Sequence, residues 1–91
     1  MRSSLPYVLL RKGLRAEGYN QEDVAALLER SRPYVSDRLN AKGEWLLKEA
    51  YALLKVIGAE GSELWRYFPA DPYAVILPAQ HQNRIYRVVA R

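Results

Sequence analysis

The stretch "SRPYVSDRLNAKG", residues 31–43, gathers Arg32, Tyr34, Ser36, Asp37, Arg38, Asn40 and Lys42 around one apolar edge formed by Val35 and Leu39. These side chains bring charge and hydrogen-bonding groups, and their chemistry is recognition, not bond breaking. The four-residue spacing of Val35 and Leu39 places them on one face of a short helix. A helix with so little to bury gains little from packing alone, so its polar surface needs another use.

Other residue types offer no route to catalysis. His81 is the single histidine and stands in the polar run "AQHQN"; Glu60 and Glu63 form a helix-start pair without a base or ligand cluster beside them. With no cysteine and no Gly-rich phosphate loop, the sequence predicts no catalytic residue, no metal site, no cofactor and no small-molecule ligand.

The polar helix needs neighbours to hold it. Pro6, with Ser4 as cap, is expected to open a first helix that buries Leu10 and Leu14 and stops at Gly18. Asn20 caps a second helix, with Glu22 and Asp23 in its first turn and Val24, Leu27 and Leu28 as its buried stripe. Ala25 is small enough to let a neighbouring helix come close. Ser31 caps the third, with Pro33 in the first turn, where its missing N–H costs nothing. A fourth helix follows from Leu47, Ala50, Tyr51, Leu54 and Ile57, closed by Gly58; Ser62 is expected to cap a short fifth, "ELWRYF". Trp45, at the junction before the fourth helix, is expected to be largely buried. Beyond Pro72, "YAVIL" and "RIYRVVA" suggest two short strands, with a helix from Gln80 the competing assignment.

Ninety-one residues make one small domain, and a hydrophobic content of 49% argues for a folded chain. The net charge of +4 and a pI near 9.6 are compatible with a polyanionic partner. Charge distribution says more. Residues 1–16 hold Arg2, Arg11, Lys12 and Arg15 without an acid, and residues 72–91 hold Arg84, Arg87 and Arg91 without an acid. The apolar run "LPYVLL" is too short for a membrane span, and the absence of cysteine suits a reducing compartment; a cytoplasmic protein without membrane contact is expected.

Two short helices with a brief break, the second poor in apolar surface, form the helix-turn-helix arrangement that places its second helix in a DNA major groove. In "QEDVAALLERSRPYVSDRLN", Val24, Ala25 and Leu28 would face Val35 and Leu39, leaving Arg32, Pro33, Ser36 and Asp37 outward. The run "YNQEDVAALLERSRPYVSDRLNAKGEW", followed by "LKEAYALLKVIG" and "SELWRYFP", resembles the Cro/C1-type (XRE-like) helix-turn-helix transcriptional regulators of phages and mobile elements over residues 5–69. The resemblance implies a mainly α fold, a five-helix lambda-repressor-like DNA-binding domain over residues 1–69. Residues 70–91 would add a short C-terminal β extension.

The resemblance also implies roles. Arg32, Pro33, Ser36 and Asp37 fall where the family reads base edges, and arginine to guanine or aspartate to cytosine N4 suits that task. Gln21, Tyr34, Arg38, Asn40 and Lys42 fall where it touches the DNA backbone. The bland alternatives are an Asp37 paired with a nearby arginine, a Tyr34 packed on Arg38, and an Arg38 merely solvated. The chain departs from the family pattern at Glu29 and Arg30, where a turn glycine is usual, at Ala41 in place of glycine, and at Leu46 in place of a threonine cap.

These features lead to the expectation of a repressor that binds a palindromic operator as a homodimer, with Ile76, Ile85, Tyr86, Val88 and Val89 pairing two copies through the extension. The alternative function is an antitoxin or protein-interaction module of the same fold whose tail binds a protein partner.

Overall fold

The computed structural model describes residues 1–76. They are mainly helical: α1 (Val8–Ala16), α2 (Gln21–Leu28), α3 (Arg32–Leu39), α4 (Leu47–Val56) and, after a 3-10 turn (Gly61–Glu63), a single-turn α5 (Leu64–Tyr67).

Local chemistry sets most of the helix starts. Asn20 Oδ1 accepts the Asp23 N–H at 2.8 Å while the Asp23 carboxylate accepts the Asn20 N–H at 2.9 Å, so two otherwise unpaired donors at α2 are satisfied reciprocally. Ser31 Oγ accepts the Tyr34 N–H at 3.2 Å and starts α3 as its sequence suggests. Leu46 cannot cap α4, but Glu49 Oε1 takes the Leu46 N–H at 3.1 Å and keeps half of the missing box.

Two starts differ from expectation. Ser4 caps nothing; α1 begins at Val8 behind Tyr7, whose backbone is left-handed at φ 53°. The Tyr7 N–H bonds the Pro72 carbonyl at 2.7 Å, so a distant segment, not a local cap, fixes this end. Ser62 lies inside the 3-10 turn, and the Glu63 carboxylate accepts the Glu60 N–H at 3.2 Å instead.

The α2–α3 break stays short despite lacking glycine. Glu29 takes the left-handed conformation at φ 55°, and Ala41 does the same after α3 at φ 61°. Each such residue costs about 1–2 kcal/mol relative to a right-handed one. The packing of α2 on α3 outweighs that strain.

The core joins Leu10 and Leu14 of α1, Val24 and Ala25 of α2, Val35 and Leu39 of α3, and Leu53 of α4, with Tyr7 at its edge. Ala50 and Leu54 are buried as well. Leu27, expected in the α2 stripe, is exposed, as are Leu47 and Tyr51 of α4. The buried faces take in Ala25 and Leu53 instead. Leu28 packs at the margin as expected.

Trp45, expected to be largely buried, is half-buried and packs against the core from its margin. Its indole meets Phe68 at 5.8 Å and Tyr7 at 6.3 Å between ring centroids, both nearly edge-on, and Tyr7 meets Phe68 at 6.2 Å. This aromatic cluster ties the loop after α3 to the start of α1 and the end of α5. Burial, with the nearby charge of Glu44, pushes the Tyr7 phenol above its usual pKa.

The β extension needs correction. Among the described residues there is no sheet, only an isolated antiparallel bridge between Arg2 and Ala74. The Ser3 N–H donates to the Tyr73 carbonyl at 2.8 Å and the Val75 N–H to the Met1 carbonyl at 3.0 Å. Arg2 adds an ion pair with Asp71 and lies over the Tyr73 ring. The start of "YAVIL" therefore pairs with residues 1–3 of its own chain, through one bridge and not as a strand. Ile76 is half-buried; Ile85, Tyr86, Val88, Val89 and the second suggested strand lie outside the described residues.

The strained turn yields a prediction of opposite signs. Glu29→Gly should leave stability unchanged or raise it by up to about 1 kcal/mol, because glycine tolerates a left-handed backbone. Ala26→Gly, on the exposed side of α2, should lower it by about 1 kcal/mol. Urea unfolding of the two variants checks this, and a loss at Glu29→Gly matching that at Ala26→Gly would show that Glu29 is unstrained.

Candidate nucleic-acid interface

α3 fully buries only Val35 and Leu39, and polar contacts add to the hold on its orientation. At its C-terminal end, Arg11 of α1 donates from Nη2 to the Leu39 carbonyl at 2.6 Å and to Asn40 Oδ1 at 3.0 Å; its Nε donates to the Pro6 carbonyl at 2.8 Å. A guanidinium on a helix's last carbonyl satisfies an orphan acceptor and opposes the negative end of the dipole. Burial, then the charge of Arg15, pull the Arg11 pKa below its usual value, yet a guanidinium stays charged at ordinary pH.

At the other side of α3, Tyr34 directs its hydroxyl to both Glu49 oxygens, at 3.0 and 2.9 Å. Glu49 is only 3% exposed and also faces Arg30 Nε at 3.4 Å. The buried carboxylate is thus compensated by a hydroxyl, a backbone N–H and a cation, as a charge out of water requires. Arg30 and Arg38 both lie over the Tyr34 ring, at 4.7 and 4.1 Å from its centroid. A Cβ on Gly43 would collide with the Arg38 guanidinium, so glycine there leaves room for the stack.

The outward residues converge. Arg32, Pro33, Ser36 and Asp37 line one open concavity of about 530 Å³ together with Gln21, the first residue of α2. Arg32, Pro33 and Asp37 are exposed, while Ser36 and Gln21 are half-buried. Asp37 makes no ion pair among the described residues, so the bland alternative of an arginine partner does not hold for it. Arg32 Nη1 stands 3.6 Å from Glu22 Oε1 with both groups well exposed, a pair that solvent screening holds to about 0–1 kcal/mol.

The backbone-contact candidates divide. Lys42 is exposed, and its side chain has no partner among the described residues. Asn40 is exposed but already bonded to Arg11, with its amide 3.4 Å from Ser36 Oγ. Tyr34 and Arg38 are half-buried and engaged with each other, and Tyr34 has its hydroxyl committed to Glu49. Packing on Arg38 is the arrangement Tyr34 adopts; it supports the helix.

Three supporting residues escape a sequence reading: Arg11, Arg30 and Glu49. The four-residue spacing of Arg30, Tyr34 and Arg38 hints at the stack, and Glu49 stands three residues after the cap position of α4. Nothing local points from Arg11 to the end of α3. No family model, no curated protein and no solved structure matches this chain.

The Tyr34–Glu49 contact can be tested without touching the outward face. Tyr34→Phe should lower the unfolding free energy by about 1.5–3 kcal/mol, the range for a hydrogen bond to a charged group. Chemical denaturation measures it; a change below about 0.5 kcal/mol would mean that water replaces the hydroxyl at Glu49.

Proposed function

We propose that this protein is a sequence-specific double-stranded DNA-binding regulator, acting as a repressor, that inserts α3 into the major groove. One observation carries this reading: Arg32, Pro33, Ser36, Asp37 and Gln21 share one open concavity, on a helix that buries only Val35 and Leu39. The set combines a bidentate donor, an acceptor and small polar groups, the mixture that base edges in a major groove demand. The motif resemblance to the Cro/C1-type regulators supports the same reading. It also suggests a lambda-repressor-like domain, a palindromic operator and two copies on half-sites about 34 Å apart.

Selection of bound duplexes from random DNA tests the proposal directly and supplies a site for quantitative work. On that site Arg32→Ala should cost about 1–3 kcal/mol and relax preference at one base position. Lys42→Ala should weaken all sequences alike and reduce the salt slope by about one. An unaltered site preference in Arg32→Ala would place the reading surface elsewhere.

In this proposal the dimer forms through the C-terminal extension. The full chain should then sediment as a dimer at micromolar concentration, and Ile85→Asp with Val89→Asp should yield a monomer that binds a palindrome much more weakly. A double variant that still sediments as a dimer would assign the interface to the helices.

A further inference from the structure

Beside the α3 concavity lies a second one of about 460 Å³, which shares Gln21 with it. Leu14, Val24 and Leu39 contribute its apolar lining; Arg11, Arg15, Tyr19, Asn20 and Gln21 supply the polar groups, and no acid lines it. The two arginines differ in use. Arg11 spends its donors on Pro6, Leu39 and Asn40. Arg15 is exposed and makes no ion pair or side-chain hydrogen bond among the described residues.

We infer that Arg15 is an anchor for a DNA phosphate, extending the contact surface from α3 across Gln21 onto α1. The inference rests on the DNA-binding reading above and adds to it a contact from a helix outside the α2–α3 pair. Three features carry it. The concavity is continuous with the proposed base-reading surface through Gln21. Its lining carries charge of one sign, Arg11 and Arg15 with no acid. Arg15 is also held close enough to Arg11 that, after burial, its charge works against that of Arg11, a repulsion a bound phosphodiester would relieve. The chemistry recognised is a phosphodiester oxygen, so the contact contributes affinity and register without sequence preference.

The experiment uses the full chain and fluorescence anisotropy, on the selected site and on a random duplex, across a salt series. Arg15→Ala should lower the log–log salt slope by about one on both duplexes, with site preference unchanged. Arg15→Lys should retain the slope. Lys12→Ala removes the same charge from α1 outside the concavity and should leave the slope nearly as it was. Because Arg15 is exposed, circular dichroism should show the same helicity for all variants. An unchanged slope in Arg15→Ala, or an equal fall in Lys12→Ala, overturns the anchor and leaves DNA binding standing. Failure of the unsubstituted chain to bind any duplex overturns the reading beneath it and the anchor with it.

Discussion

A helix that buries two side chains is oriented only in part by hydrophobic packing, because burial itself is non-directional. In this protein polar clasps at two places on α3 add direction to its packing on α2. Arg11 holds the Leu39 carbonyl and Asn40, and the Tyr34 hydroxyl is held on the Glu49 carboxylate. Hydrogen bonds have the angular preference that apolar contacts lack, so these contacts set the tilt and rotation of the helix. The outward surface of α3 then stays free of structural duties. The economy has a cost: a buried carboxylate tolerates the loss of a partner poorly, so this support is sensitive to substitution.

Electrostatics follow the same division. The cations that hold the fold are those with partners, Arg11 on backbone carbonyls and Arg30 beside Glu49. Arg15 and Lys42 make no ion pair among the described residues, and Arg32 has only the solvent-exposed Glu22. A polyanion would therefore meet charges that cost little to redirect.

Much of the frame was legible because its signals are local. Asn20, Ser31 and Gly18 mark helix ends through contacts within a few residues, and the Val35–Leu39 edge follows from helical period alone. The left-handed Glu29 and Ala41 were visible as glycine positions occupied by other residues. Helix faces were harder: Leu27, Leu47 and Tyr51 satisfy the periodicity yet remain exposed, because periodicity states which residues share a face and not whether another element covers it. Of the site, the outward set on α3 was legible, since exposure follows from having no role in the narrow edge. Its supports were not. The partners of Arg11, Glu49 and Tyr7 are 28, 15 and 65 positions away in the chain, and no local pattern encodes such pairings. The contacts of Asn40 with Arg11 and of Tyr34 with Glu49 are illegible for the same reason.

The pairing of Met1 and Ser3 with residues 73–75 has a consequence for how the chain matures. Arg2 and Asp71 are 69 positions apart, and closing so long a loop brings a cost that local helices do not face. On a ribosome, α2 and α3 can meet as soon as both have emerged, whereas Tyr7 must wait for Pro72 to leave the exit tunnel before its N–H finds its acceptor. These residues, made before the helices, are thus secured after them, and the start of α1, from which Arg11 reaches the end of α3, gains its final support only once α5 has been made.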